Sequence, residues 1–189
     1  MDCISINQFN LSNKMRMLWE QHVFWTRLLI ISILNNLKDL DATQTRLLQN
    51  PGEIAAIYGK FYGPVIQKNI SDLLTEHLVI SAQLITATKN NNTSEMNRLN
   101  TLWYQNADKM SNFLASFNPF YSENDLRRMF YTHLDLTKNE VSLRLKSNWT
   151  EDIKNFDILE KEAINMADYF TIGIVRQFDY LFSCNMQYF

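Results

Sequence analysis

The sequence contains little glycine and little proline, with 4 Gly and 3 Pro among 189 residues. Both residues interrupt regular structure, so their scarcity predicts long uninterrupted elements rather than many tight turns. The chain has neither a Gly-x-Gly-x-x-Gly phosphate loop nor a Gly-x-Ser-x-Gly nucleophile elbow. Nucleotide-dependent chemistry and serine-hydrolase chemistry are therefore not predicted.

Cysteine is scarce and the net charge is small. Cys3 and Cys184 lie at opposite ends of the chain, with neither a metal-ligand spacing nor a disulfide framework, and this favours a reducing cytoplasm. The formal net charge is -2, and Lys and Arg do not gather into a basic stripe. No nucleic-acid partner is predicted.

Long hydrophobic runs are also missing. The most apolar run, residues 23–34, spans 12 residues and contains Arg27, whereas a membrane helix needs about 20 apolar residues. Residues 1–13 lack the apolar core of a secretory signal. We therefore predict one cytoplasmic domain over residues 1–189, with no membrane contact.

Apolar residues recur with the 3.6-residue period of a helix, and no strand is predicted. Between the first two helices, residues 39–62 are predicted to form a connection with short helical pieces, broken at Asn50-Pro51-Gly52 and closed by Gly63-Pro64. The five predicted helices are A, from a cap at Asn10 or Ser12 to Leu37; B, Val65 to Thr88; C, Ser94 to Phe117; D, from a cap at Ser122 to Lys146; and E, from Thr150 to as far as Phe182.

Helices A, B and D share a nine-residue pattern. Two apolar residues precede two variable ones, a histidine and an apolar residue follow, and a hydroxyl lies four places after the histidine. The three histidines of the sequence all occur in this pattern, as the pairs His22 and Thr26, His77 and Ser81, and His133 and Thr137.

A weak internal duplication has an offset of 56 residues. It equates residues 45–62 with helix C, and helix B with helix D. This predicts an antiparallel four-helix, ferritin-like bundle of helices A, B, D and E, with extra connecting helices. The repeated residues are Thr45, Gln49, Asn50, Phe61, His77 and Leu78, which recur as Thr101, Gln105, Asn106, Phe117, His133 and Leu134.

Helix E carries the same pattern with Glu162 in place of histidine. Three imidazoles and one carboxylate suit zinc, iron or manganese, so we predict a metal site in the bundle core. A metal-bound histidine usually donates its other ring N–H to an oxygen, and the three hydroxyls are candidates. The residues predicted around the ligands are Thr26, Arg27, Glu76, Ser81, Thr137 and Glu140.

Carboxylates near the histidines do not match a dinuclear iron site. Such sites use Glu-x-x-His, whereas Glu20 precedes His22 by two residues and Glu76 precedes His77 by one. Glu140 lies two helical turns after His133, and we predict it as the partner of Arg27 or as a group near the metal.

The alternative is a non-catalytic structural or interaction protein with hydrogen-bonded core histidines. Its serines and threonines would bond to carbonyls one turn back along the helix. An exposed apolar stripe on helix C, or the Tyr188-Phe189 tail, would bind a partner or form a homodimer. Neither interpretation specifies a reaction.

Several longer segments carry a family resemblance: WEQHVFWTR at 19–27, RLLQNP at 46–51, LTEHL at 74–78, WYQNAD at 103–108, FLASFNP at 113–119, HLDLTKNE at 133–140, FDILE at 156–160 and MAD at 166–168. In these the chain resembles a family of small, uncharacterised bacterial helical proteins. The resemblance stresses Glu160 rather than Glu162, so both remain candidate ligands. The label acetylglutamate kinase, which some members carry, does not fit, because such kinases are α/β proteins with glycine-rich loops.

Overall fold

The computed structural model describes residues 3–184, and that part of the chain is helical with no strand. The predicted all-α class is therefore confirmed. The helices are α1 (Ile6–Asn35), α2 (Leu40–Leu47), α3 (Asn50–Lys89), α4 (Thr93–Phe117), α5 (Glu123–Leu145) and α6 (Trp149–Gln177), followed by a short 3-10 turn, Asp179–Leu181.

Helix ends follow local capping chemistry where the caps are polar. The Ser122 hydroxyl accepts a hydrogen bond from the Asp125 backbone N–H, as predicted for the start of α5. Helix α1 begins earlier than predicted, because Ser5 caps it by accepting from the Gln8 N–H. Helix α6 ends at Gln177 rather than near Phe182, where the chain tightens into the 3-10 turn.

Helix α3 reverses direction at Gly63, which has φ 82° and ψ 177°. A positive φ favours glycine, and Pro64 follows without a backbone N–H to continue the helix. The fold-back brings Gln67 so close to Gly59 that a Cβ at Gly59 would lie 2.1 Å from its side-chain oxygen. The predicted break at Gly63-Pro64 is thus a hairpin turn. The predicted break near Asn50-Pro51-Gly52 is confirmed to within two residues, because α2 ends at Leu47 and the first arm of α3, residues 50–62, begins at Asn50.

Five helices, and not four, form the ring that surrounds the core, and one of them, α3, contributes two antiparallel arms. Helix α4, the predicted connector C, packs between α3 and α5, while α6 packs between α5 and α1. Three helical segments run in the same direction: α1, the second arm of α3 (residues 64–89) and α5. Their contacts show this, because residues that come later in one segment meet residues that come later in the others. His22 lies beside His77 and His133, and further along α1 Arg27 bonds to Glu140 while the Ile33 carbonyl accepts from Lys89.

Three helical hairpins therefore make up the fold. In the first, α1 is followed by the antiparallel first arm of α3; in the second, the second arm of α3 is followed by α4; in the third, α5 is followed by α6. The apolar stripe of α4 faces the core, with Leu99, Trp103 and Met110 buried, so α4 does not offer the exposed apolar stripe that would favour the interaction alternative. The Tyr188-Phe189 tail lies outside the described residues.

The two ends of the described chain are joined by a disulfide between Cys3 and Cys184, whose Cα atoms are 6.2 Å apart. The interpretation that the two cysteines form no disulfide framework is wrong, because α1 and α6 are antiparallel neighbours and bring residues 181 positions apart into contact. The cysteines consequently give no support to a cytoplasmic location, which stays a prediction. None of the described helices combines the length and apolar character needed to cross a membrane.

Candidate metal centre

The three histidines meet at the centre of the ring. The ring centroids of His22, His77 and His133 are separated by 6.2, 5.7 and 6.3 Å, which is close to an equilateral triangle. Each side chain is buried, with 2 to 3% of its surface exposed. The predicted convergence of the histidines is confirmed, and we call these three residues the triad.

The Nδ1 atom of each triad histidine is hydrogen-bonded to a side-chain oxygen from the return arm of its own hairpin. His22 Nδ1 lies 2.9 Å from Asn50 Oδ1, and His77 Nδ1 lies 3.2 Å from Asn106 Oδ1. His133 Nδ1 lies 3.0 Å from Glu162 Oε2. The partner follows its histidine by 28, 29 and 29 residues, so the three hairpins repeat one arrangement.

The asparagine amides determine which ring nitrogen carries the proton. The Asn50 NH2 group donates to the Leu18 carbonyl, so its oxygen must face His22 and accept. The Asn106 NH2 group donates to the Leu73 carbonyl and to Glu76, so its oxygen likewise faces His77. In both histidines Nδ1 therefore carries the proton, and Nε2 keeps its lone pair.

The same assignment holds in the third hairpin. A carboxylate only accepts hydrogen bonds, so His133 Nδ1 donates its proton to Glu162. In its neutral form His133 therefore has its lone pair on Nε2, as His22 and His77 do. We call Asn50, Asn106 and Glu162 the orienting residues, since each fixes the tautomer and the ring position of one histidine.

The triad is close to the dimensions of a metal site. One nitrogen from each ring lies within 4.8 Å of the others. An ion at the point equally distant from three atoms so spaced would lie no more than about 2.8 Å from each nitrogen. Zinc–nitrogen bonds are about 2.0–2.1 Å long. An inward movement of each ring by less than an ångström would complete the contacts.

Burial keeps two triad histidines neutral at physiological pH. It lowers the pKa of His22 to about 4, and repulsion from His133 acts in the same direction, while the bond to Asn50 opposes both. The pKa of His77 is also lowered well below its usual value, first by burial and then by the other two histidines. Neutral imidazoles are the form that binds metals.

Neither predicted glutamate ligand joins the triad. Glu162 binds His133 through the nitrogen that faces away from the centre, so it orients a ligand instead of supplying one. Glu160 faces the other side of α6, where it lies against Glu20. Burial, and then the hydrogen bond and charge of Glu160, raise the pKa of Glu20 to about 7. These two carboxylates belong to the seam between α1 and α6.

The hydroxyls predicted as histidine partners have another role. Thr26 and Thr137 donate to the backbone carbonyls of His22 and His133, at 2.7 and 2.9 Å. These bonds run one turn back along each helix, as the alternative interpretation expects. Ser81 is buried in the corresponding place, but its hydroxyl forms no hydrogen bond with another residue of the described range.

Arg27 and Glu140 form the predicted ion pair, with Arg27 Nη1 2.6 Å from Glu140 Oε1. Asp152 completes the group by binding both Arg27 and Arg144 at 2.8 Å. Glu140 lies two helical turns beyond His133, roughly 10 Å along the axis, so this group is a separate polar layer below the triad. Glu76 reaches the triad only indirectly, through Asn106.

Sequence reasoning missed Asn50 and Asn106 as site residues. The indication was present, because Gln49-Asn50 and Gln105-Asn106 are both members of the 56-residue duplication. Adding the same offset to Asn106 gives position 162, where the third hairpin has a glutamate. The offset equates residues 45–62 with helix C, and both segments were therefore interpreted as connectors between the bundle helices.

Comparisons of the chain with protein-family models, with curated proteins and with solved structures find no match. The resemblance to a bacterial helical family therefore stays a prediction. The assignment of a function rests on the geometry of the triad.

Proposed function

We propose that His22, His77 and His133 bind a single divalent transition-metal ion through their Nε2 atoms. The observation that carries the proposal is the common orientation of the three rings. Each Nδ1–H donates to an orienting residue, and one nitrogen of each ring lies within 4.8 Å of the others. Because Nδ1 is bonded elsewhere in all three rings, we assign these nitrogens as Nε2.

A bundle with histidines serving only as core residues would not need this arrangement. That alternative expects each histidine to bond separately to a nearby backbone carbonyl, with the three scattered along the helices. Instead, all three histidines bond through Nδ1 to partners outside the triad and bring one nitrogen each within 4.8 Å of the others in a buried place. A cation satisfies all three at once.

The donor set favours zinc among the three metals predicted. Manganese prefers carboxylate and carbonyl oxygens, and mononuclear iron oxygenases use two histidines with one carboxylate. Three neutral imidazoles with no carboxylate ligand match the three-histidine zinc sites. The hydrogen bond from His133 to Glu162 adds negative charge outside the ligands and strengthens that imidazole as a donor.

Three protein ligands leave one position of a tetrahedral zinc ion open. Such a position binds water or substrate, and zinc there lowers the pKa of water or polarises a carbonyl group. We therefore propose a reactive rather than a purely structural site. The ferritin-like fold, the homodimer and the cytoplasmic location stay predictions, because the triad does not test them.

The direct experiment is metal analysis of protein purified without a histidine tag. We expect about one zinc per chain after incubation with zinc and removal of the excess. Replacing any triad histidine with glutamine should abolish stoichiometric binding. Asn155→Ala is the matched control, because Asn155 is a buried asparagine that bonds to the Leu136 carbonyl, away from the triad. It should keep its zinc.

Two results would favour the alternative interpretation. One is protein that stays metal-free when offered zinc, iron and manganese at neutral pH, with no change in its melting temperature. The other is equal zinc binding by the wild type and the three glutamine variants. Binding of a metal to the folded state should instead raise the melting temperature as zinc is added.

A further inference from the structure

The Cys3–Cys184 disulfide connects the start of α1 to a short segment that follows α6. We call this segment, residues 179–184, the strap. It begins with the 3-10 turn Asp179–Leu181, continues through Phe182 and ends at the disulfide. The strap therefore bridges the end of α6 and the start of α1, and it is anchored at both of its own ends.

The strap covers apolar surface of α1 and of the first arm of α3. Phe182 is 8% exposed and belongs to the same buried cluster as Leu11 and Ile57. The centroid of its ring lies 5.9 Å from that of Phe61. A cavity of about 340 Å³ adjoins this contact, and its lining includes Leu181 and Phe182 of the strap as well as Leu11, Ile57 and Phe61. The strap is thus one wall of this cavity.

Few contacts other than the disulfide hold the strap in place. Tyr180 is 70% exposed and Leu181 is 43% exposed, so Phe182 is the main apolar anchor. Among the described residues, one hydrogen bond joins the strap to α1, from Asn7 Nδ2 to the Leu181 carbonyl at 2.9 Å, and it is exposed to solvent. Each ordered residue costs conformational entropy, and an exposed hydrogen bond offsets little of that cost. One buried ring is therefore set against the ordering of the whole strap.

The disulfide changes this balance because it fixes the far end of the strap. Chain segments near a terminus are poorly ordered unless something ties them down. The near end is fixed by Phe178, whose ring packs against Phe61 and Tyr62 at 5.3 and 5.1 Å between centroids. The Phe178 backbone N–H also donates to the Ile174 carbonyl. When the disulfide is broken, the near end alone stays fixed.

A reductant can reach the disulfide. Cys3 is exposed and Cys184 is partly exposed. In thiol–disulfide exchange, a thiolate attacks one of the two sulfurs and forms a mixed disulfide. The second thiol of a dithiol then attacks the mixed disulfide. Cys3 and Cys184 take up the two electrons and two protons of the dithiol and become thiols, and the dithiol becomes a disulfide.

We propose that the Cys3–Cys184 disulfide is a redox switch that controls the cover on this end of the bundle. In the oxidised protein, the strap is closed over Leu11, Ile57 and Phe61. Reduction by a dithiol releases the strap and exposes this apolar surface. The rest of the bundle stays folded, because Phe182 is the one strap residue in the large buried cluster. No triad histidine lines the cavity, so this inference does not depend on the proposed metal.

Hydrogen–deuterium exchange with mass spectrometry tests the release of the strap. The full chain is compared with and without dithiothreitol, and free thiols are counted in each sample. Exchange in peptides that cover residues 179–184 should be at least tenfold faster in the reduced protein, while exchange in the middle of α5 should change less than twofold. The Cys3→Ser, Cys184→Ser double variant should match the reduced protein. It needs no reductant, so it also excludes an effect of dithiothreitol on bound metal.

Three results would overturn the proposal. One is unchanged exchange of the strap in protein with two free thiols. Another is a disulfide that stays intact in excess dithiothreitol. The third is an equal increase of exchange in the strap and in α5, because the disulfide would then stabilise the whole fold by constraining the unfolded chain.

The dye anilinonaphthalene sulfonate, which becomes fluorescent on exposed apolar surface, tests what the strap covers. Its fluorescence should rise at least threefold on reduction. Phe182→Ala should raise it in the oxidised protein with the disulfide intact, because the ring that packs on Phe61 is lost. Tyr180→Ala is the matched control in the same strap and should leave the fluorescence unchanged, because Tyr180 is mostly exposed. Equal fluorescence of the two variants would contradict the assignment of Phe182 as the cover.

Discussion

The Nδ1 atom of His133 lies 3.0 Å from the Oε2 atom of Glu162, and this is the one carboxylate pair among the three histidine pairs of the triad. His22 and His77 bond to neutral amides in the equivalent places. A carboxylate makes its histidine more electron-rich than an amide does. His133 should therefore be the strongest ligand of the three.

Glu162→Gln tests this asymmetry. Glutamine keeps an oxygen acceptor for His133 but removes the charge, so zinc affinity should fall about 10- to 100-fold, as for other partners of metal-bound histidines. The measurement is competition with a chromophoric chelator. Glu160→Gln is the matched control on the same helix, because Glu160 lies against Glu20 rather than the triad. Equal loss in both variants would mean that general helix charge, not the bond to His133, sets the affinity.

Asn106→Ala should destabilise the metal-free protein. It leaves the His77 ring N–H and the Leu73 carbonyl unpaired in a buried place, and the two losses together amount to about 2–5 kcal/mol of unfolding free energy. Urea denaturation measures it. Asn97→Ala, an exposed asparagine on the same helix, should change stability by less than about 0.5 kcal/mol. A small effect at Asn106 would show that it does not hold the histidine.

Much of the fold could be predicted from the sequence, because the signals involved are local. Apolar periodicity located helices C and D to within a residue or two, and the nine-residue pattern identified the triad. The pattern works because α1, the second arm of α3 and α5 are parallel. In parallel helices, equal positions lie at equal depth, so three copies of one local sequence meet at one level.

What could not be predicted depends on contacts between distant segments. The 56-residue repeat was visible, but only the reversal at Gly63 shows that it describes three hairpins instead of four helices with connectors. The disulfide between Cys3 and Cys184 likewise depends on α1 and α6 being antiparallel neighbours. Glu162 was identified by the nine-residue pattern as a ligand, but it is an orienting residue, because the return arms of the hairpins supply orienting residues and not ligands.

Acidification should lower the unfolding free energy of the metal-free protein, in part because of the protonation of His22. Its pKa is about 4 in the folded state and about 6.5 in an unfolded chain, so the unfolded state takes up the proton first as the pH falls. The contribution of neutral His22 is fully present above pH 6.5 and is lost between pH 6.5 and 4, and it amounts to about 3 kcal/mol.

Unfolding free energies of wild type and His22→Gln, measured in urea at pH 7.5 and pH 4, isolate this contribution. The variant should have a lower unfolding free energy than the wild type, and this difference should be smaller at pH 4 by about 2–3 kcal/mol. The reason is that only the wild type loses the contribution of neutral His22 as the pH falls. Thr26→Val, one turn along α1, removes a hydroxyl that does not titrate, and its deficit should be the same at both values. A deficit of His22→Gln that does not depend on pH would contradict the lowered pKa.

Arg27→Met should be among the most destabilising single changes. It leaves the buried carboxylate of Glu140 without its cation and removes one of the two partners of Asp152, at a cost of about 3–5 kcal/mol. Adding Glu140→Gln should recover part of the loss. Arg16→Met breaks an exposed pair with Asp168 and should cost less than about 1 kcal/mol. Urea denaturation at pH 7 compares the three variants, and equal losses for Arg27 and Arg16 would contradict the account.

The most direct test of the metal site is diffraction from crystals of zinc-loaded protein, with anomalous data collected on both sides of the zinc absorption edge. The account predicts one strong anomalous peak at the centre of the ring, about 2.0–2.1 Å from the Nε2 atoms of His22, His77 and His133. Their Nδ1 atoms should still be bonded to Asn50, Asn106 and Glu162. A peak located only at surface carboxylates, or bonded through Nδ1 with the orienting residues displaced, would contradict it.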